Sequence, residues 1–129
     1  QLTDWKYKHN ADEGSSAAVL DDTSWEERKT GQSWSGEYSH AWYRTKIVLP
    51  KTIDTFQVGE RALRLLVNVN DKGEIWVDGK LRQLFTEAEG NIILSSSSKV
   101  GESISVAIKV RNEWGSGDLR EVRLITDEA

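Results

Sequence analysis

The chain has 129 residues, and its 17 lysines and arginines against 21 aspartates and glutamates leave a formal charge of −4, with the two signs interspersed. That length suffices for one domain with a real core and not for two. The acidic balance, without a basic stripe, argues against nucleic acid or an anionic membrane as partner. No apolar run approaches the ~20 residues of a membrane span, and the absence of cysteine excludes disulfides and thiolate chemistry.

Six tryptophans are many for this length. Their rings bury large areas in cores and also serve as platforms for the apolar faces of sugars. The chain starts at Gln1 and contains no methionine. Residues 1–129 are therefore expected to be a single domain of a larger multidomain polypeptide, monomeric when isolated.

Along the chain, residues 2–8 alternate apolar and polar, which predicts a first strand with Trp5 and Tyr7 inward. Residues 9–16 are polar and read as a loop. Residues 21–27 read as a capped helical turn that drives Trp25 into the sandwich edge; the alternative for Asp21 and Asp22 is a calcium-binding carboxylate pair. Residues 30–40, rich in glycine and serine, read as a loop with Trp34 and Tyr38 near the surface. Residues 41–49 predict a strand with Tyr43, Thr45, Ile47 and Leu49 on one face and Trp42, Arg44 and Lys46 on the other, ended by Pro50.

After a connection over 51–60, Leu63, Leu65, Val67 and Val69 alternate along the next strand. Ile75 and Val77 do so in the one after it, and Asp78-Gly79 turns the chain back toward Phe85. A two-residue turn sets Trp76 opposite Leu81, in an apolar face. A three-residue loop sets Ile75 there and leaves Trp76 facing out. Residues 91–94 form a short strand and 95–98 a low-complexity loop. Residues 102–110 show the cleanest alternation, with Ile104, Val106, Ile108 and Val110 inward, and 119–125 close the domain. No internal repeat and no helix longer than a turn or two is expected. The pattern predicts an all-β fold, an antiparallel jelly-roll β-sandwich of about eight strands.

Several of these stretches carry a resemblance. Leu65-Leu66-Val67-Asn68-Val69-Asn70 followed by Glu74-Ile75-Trp76-Val77-Asp78-Gly79-Lys80 resembles the sugar-binding, jelly-roll domain of glycoside hydrolase family 2 enzymes, within the galactose-binding-domain-like sandwiches. Asp21-Asp22-Thr23-Ser24-Trp25, Ala41-Trp42-Tyr43-Arg44-Thr45 and the strand from Gly101 to Val110 fit the same order and spacing. The resemblance implies a non-catalytic part of a carbohydrate-active protein, secreted, periplasmic or at the cell surface. In that family the catalytic acids sit in a separate barrel domain. The partners it implies are a carbohydrate or the catalytic domain of the same polypeptide.

The chemistry in the residues agrees with a non-enzyme. There is no nucleophile elbow, phosphate loop or zinc motif. His9 and His40 have no metal-ligand spacing, and no two carboxylates are marked as a glycosidase pair. No cofactor or metal is implied. Binding rests on two loops, one supplying Trp34, Tyr38 and His40, the other Arg111, Asn112, Glu113 and Trp114. Together they offer aromatic faces for a sugar ring and fixed partners for its hydroxyls. The competing reading is that Trp34 and Trp114 cover the sandwich ends or dock a neighbouring domain. An outer face bearing Trp42, Arg44, Asn68 and Trp76 is a second candidate surface.

Overall fold

The computed structural model describes residues 3–9, 22–35, 39–49, 52–53, 56–57, 63–70, 72–86, 89–95, 101, 103–113 and 116–126. The described strands are β1 (Asp4–His9), β2 (Glu26–Lys29), β3 (Ser33–Ser35), β4 (Ser39–Val48), β5 (Thr52–Ile53) and β6 (Phe56–Gln57). They continue with β7 (Leu63–Asn70), β8 (Lys72–Val77), β9 (Lys80–Thr86), β10 (Gly90–Ser95), β11 (Ser103–Asn112) and β12 (Ser116–Thr126). A six-stranded sheet in the order β2-β1-β4-β11-β8-β9 faces a four-stranded one in the order β10-β7-β12-β3, and β5 and β6 pair by themselves. All pairings are antiparallel. The architecture is the jelly-roll sandwich, and no helix occurs among the described residues.

Twelve strands exceed the expected eight. The additions are short or polar pieces that carry no alternating signal: β2, β3, β5 and β6. Residues 26 and 27, expected in a helical turn, belong to β2 instead. The Trp25 N–H donates to the Asp22 carbonyl at 2.9 Å, closing one turn, and the chain then extends along β1. An edge strand exposed on one side needs no apolar period, which is why Glu-Glu-Arg-Lys hides it.

Between the sheets the alternation holds. Trp5, Tyr7, Tyr43, Ile47, Ile75, Val77, Ile104, Val106, Ile108 and Val110 from the larger sheet meet Leu63, Leu65, Val67, Val69, Leu119 and Val122 from the smaller one, all buried. Phe85 fills the gap beside them. A Cβ added to Gly73 would stand 2.4 Å from its ring and one on Gly90 2.8 Å away, so both positions must lack a side chain. Asp78 and Gly79 have φ of 48° and 81°, the pair of positive values that a two-residue type I′ hairpin requires. Trp76 therefore sits opposite Leu81, with Arg82 absorbed in a bulge before Gln83 pairs with Ile75.

The open sides are closed by side chains. On one, Arg28 donates to the Ser33 carbonyl at 3.2 Å while its guanidinium lies 4.1 Å from the Tyr7 ring centre. On the other, the Asn91 N–H donates to Gln83 Oε1 at 2.7 Å and Arg82 donates to the Ile93 carbonyl.

Val106 lies at the centre of this packing and is fully buried. Val106→Asp places an unpaired carboxylate there, at a cost comparable to the 5–15 kcal/mol of a typical domain's stability. The variant is expected to lose its cooperative melting transition in calorimetry; a melting temperature equal to the parent's would overturn the core assignment.

Candidate functional site

Two chain segments leave the sheets at the same end of the sandwich. β3 leads to β4 and β11 leads to β12, and the anchors are neighbours: Ser35 pairs with Ser116, and Ser39 pairs with Asn112. This end gathers four of the expected site residues. His40 is opposite Arg111, and Arg111 is in turn opposite Lys72 on β8. These three share the outer face of the larger sheet. Asn112 faces inward and is fully buried. Glu113 holds Lys72 through a 2.7 Å ion pair, and His9 Nε2 meets the Ser39 hydroxyl at 3.1 Å. Tyr38 and Trp114 lie outside the described residues.

Trp34 does not belong to this surface. It sits in the core, 6% exposed, in the three-residue strand β3. Its ring takes the space over Gly117, where a Cβ would come within 2.5 Å of Trp34 Cζ2. The indole N–H donates to the Tyr43 hydroxyl at 3.1 Å, and the His9 ring stands 4.9 Å away, tilted by 49°. The surface position expected from its Ser/Gly neighbours fails because a glycine far along the chain supplies the slot.

The outer face of the larger sheet is the second surface. Trp42 is fully buried there although it faces away from the core, because Trp25 and Trp76 pack over it and Ala107. The Trp42 and Trp76 rings stand 6.2 Å apart at 57°. Trp76 donates its N–H to Glu74 Oε1 at 3.0 Å, and the Lys109 ammonium sits between Glu74, 4.0 Å away, and the Trp42 ring. Arg44 is held by Asp22 at 3.1 Å and nearly excluded from water. Asn68 does not share this face: it lies on β7, exposed on the outside of the other sheet. Alternation separates inward from outward but does not say which sheet a strand joins.

Leu81 and Leu84, on the β9 edge beside Trp76, are 45% and 65% exposed. Around Lys72, Glu74, Leu84, Thr86, Lys109 and Arg111 the surface forms a dish of about 320 Å³. Lys72 and Lys109 were not among the expected site residues. Counting back from the Asp78-Gly79 turn puts Glu74 and Lys72 in register on β8, but only the β8–β11 pairing places them beside Lys109 and Arg111. Among the described residues, no three His, Asp or Glu side chains converge as a metal site.

Residues 1–123 match the family described as the alpha-mannosidase jelly-roll domain. The chain belongs to that family. The chain matches no curated protein at a significant level. Its fold is shared with a Bacteroides uniformis beta-glucuronidase at a TM-score of 0.77 and 16% identity, covering 95% of this chain and 17% of that one. It is shared likewise with a Bacteroides vulgatus beta-glycosidase, at 0.75 and 20% identity, with 97% and 19% covered. A glycosyl hydrolase family 2 member from Bacteroides cellulosilyticus gives 0.73 and 16% identity, with 95% and 19% covered. The family 2 resemblance read from the sequence is therefore real at the level of fold. The jelly-roll domain spans less than a fifth of the length of these three solved chains.

Two outcomes follow from the Trp34–Tyr43 contact. Trp34→Ala should destabilise the domain by about 3–5 kcal/mol, the usual cost of emptying a buried aromatic site; a denaturation midpoint equal to the parent's would restore Trp34 to the surface. Burial raises the ionisation of the Tyr43 hydroxyl well above the ordinary tyrosine value, more than the bond from Trp34 lowers it. The unfolded tyrosine ionises from pH ~10, so above that pH the unfolded chain binds fewer protons than the folded one. Tyr43 should then cost stability at about 1.4 kcal/mol per pH unit until its folded-state value is reached. Tyr43→Phe is expected to flatten the decline measured by urea denaturation between pH 9 and 11, and an unaltered slope would count against it.

Proposed function

We propose that this domain is a non-catalytic accessory unit of a glycoside hydrolase, docked onto the rest of its polypeptide through the outer face of the six-stranded sheet. The observation that carries this reading is how apolar surface is distributed. Among the described residues every tryptophan is buried or half-buried, while two leucines beside Trp76 stand open to water. A free sugar platform needs an exposed ring; an exposed aliphatic strip flanking a packed aromatic cluster suits a protein neighbour. The family match and the short span relative to its structural neighbours support an accessory place in a longer enzyme. On this reading the domain works outside the cytoplasm with that enzyme.

The isolated domain should hydrolyse no aryl glycoside, since the reading gives it no catalytic acid. Sugar binding at the β3–β4 and β11–β12 end is the second reading, supported by the grouping of His40, Arg111 and Glu113 there, with Asn112 buried beneath them. Affinity there would be roughly millimolar to micromolar, because a few solvent-competed hydrogen bonds yield about 4–8 kcal/mol.

Leu81→Asp tests the docking. In the 129-residue chain a half-exposed substitution should shift the melting temperature by less than about 5 °C. In the parent polypeptide it is expected to uncouple the domain, giving a separate, lower transition and faster proteolytic release. A single unchanged transition in the parent would defeat the docking reading, and saturable binding of neutral mannosides lost in Trp114→Ala would move the function to the loops.

A further inference from the structure

We infer that the dish on the outer face of β8, β9 and β11 binds a small anionic ligand, of the class of a sugar acid, with Arg111 as the group that takes its carboxylate. The charge balance around it is the reason. The domain is acidic overall, at −4, yet Lys72, Lys109 and Arg111 line this one depression with a single carboxylate, Glu74, among them. Cross-strand register brings the cations together, Arg111 opposite Lys72 and Lys109 opposite Glu74.

Two of the three are compensated, Lys72 by Glu113 at 2.7 Å and Lys109 by Glu74 at 4.0 Å. Arg111 is exposed and makes no ion pair among the described residues. Like charges directly opposite on a sheet repel; Glu113 already meets the Lys72 charge, which leaves Arg111 as the cation of the dish with no ion pair among the described residues. A guanidinium presents a planar fork matched to a carboxylate, which favours that group over a single point charge.

A larger cleft of about 890 Å³ opens on the same sheet. There Lys6 is paired with Glu27, Lys29 with Asp4, Arg44 with Asp22 and Arg28 with Glu26. Lys46 is exposed and makes no ion pair among the described residues, but a lone ammonium lacks the planar fork that Arg111 presents to a carboxylate.

The walls define the rest of the ligand. Leu84 offers an apolar flank. The Thr86 hydroxyl and the second oxygen of Glu74, whose first accepts from Trp76, offer partners for hydroxyl groups. A carboxylate on a carrier with one apolar face and several hydroxyls fits this set, which describes a uronic acid. Inorganic phosphate shares the anionic chemistry without the carrier. The inference rests on the sugar-binding reading and deepens it by naming the ligand class; it competes with docking through the same face, because Leu84 lines the dish.

The test is a titration of the ¹⁵N-labelled chain, followed by amide shifts, with sodium galacturonate, galactose and inorganic phosphate at low salt. Galacturonate is expected to saturate in the roughly millimolar range, with shifts centred on Lys72, Thr86 and Arg111. Galactose should give none, and raising the salt tenfold should weaken the binding several-fold. Arg111→Gln, folded because its side chain is exposed, should weaken it at least tenfold, while Lys46→Gln in the larger cleft should leave it unchanged. Phosphate binding more tightly than galacturonate, with the same Arg111 dependence, would uphold the anion site and assign it to free phosphate. Absence of binding by both anions, or equal affinity in Arg111→Gln, would overturn the inference.

Discussion

The ladder between β4 and β11 is the constraint on which the other features depend. Ten consecutive residue pairs run from Val48–Ser103 to Ser39–Asn112 without a register shift. Along its middle both faces are buried: Tyr43, Val106 and Ile108 point into the sandwich, Trp42, Arg44 and Ala107 out of it. A slip of one residue would exchange those two sets and put an arginine into the core, so the register is held from both sides. β1 and β8 add to the outer edges of this pair and inherit its alignment. The tryptophan cluster and the row His40–Arg111–Lys72 are consequences of that inheritance, since each is assembled from strands distant in sequence.

A sandwich of two open sheets exposes unpaired backbone at four edges. This domain bridges them in pairs. Arg28 ties β2 to β3 and stacks on Tyr7, while Gln83 and Arg82 tie β9 to β10. Polar side chains thus occupy main-chain groups that could recruit a foreign strand. The surfaces left for recognition are faces and ends rather than edges, which is consistent with docking through the Trp76 side or ligand capture beside Arg111.

The sequence made the core legible and the surfaces only partly so. Leu63, Leu65, Val67, Ile75, Val77, Ile104, Val106, Ile108 and Val110 were recoverable because period-two alternation is a local property, and all nine are buried. Trp34 was misread because its burial depends on Gly117, which pairing brings opposite it and which no local pattern announces. Trp42 looked like an outward residue and is one, yet it is sealed by Trp25 and Trp76, a fact about three strands and a turn. Asn68 was grouped with the wrong sheet for the same reason. His40, Arg111 and Glu113 were visible as candidates because they border core strands. Lys72 and Lys109 became partners of Arg111 only once the order β4-β11-β8 was known.

The Asp78–Gly79 turn carries a consequence for how the chain reaches this state. Beyond closing the β8–β9 hairpin, Asp78 bonds twice to Ser105: its N–H donates to the Ser105 carbonyl at 2.8 Å, and its carboxylate accepts the Ser105 N–H at 2.9 Å. The hairpin closes only two residues and belongs to the microsecond events of folding. The β4–β11 ladder must close everything from Val48 to Ser103 and bears the larger loop entropy. An early hairpin with a polar clasp at its tip gives β11 a template of defined register before β4 arrives. Folding is thus expected to proceed from the β8–β9 corner outward, with the longest ladder among the last to zip.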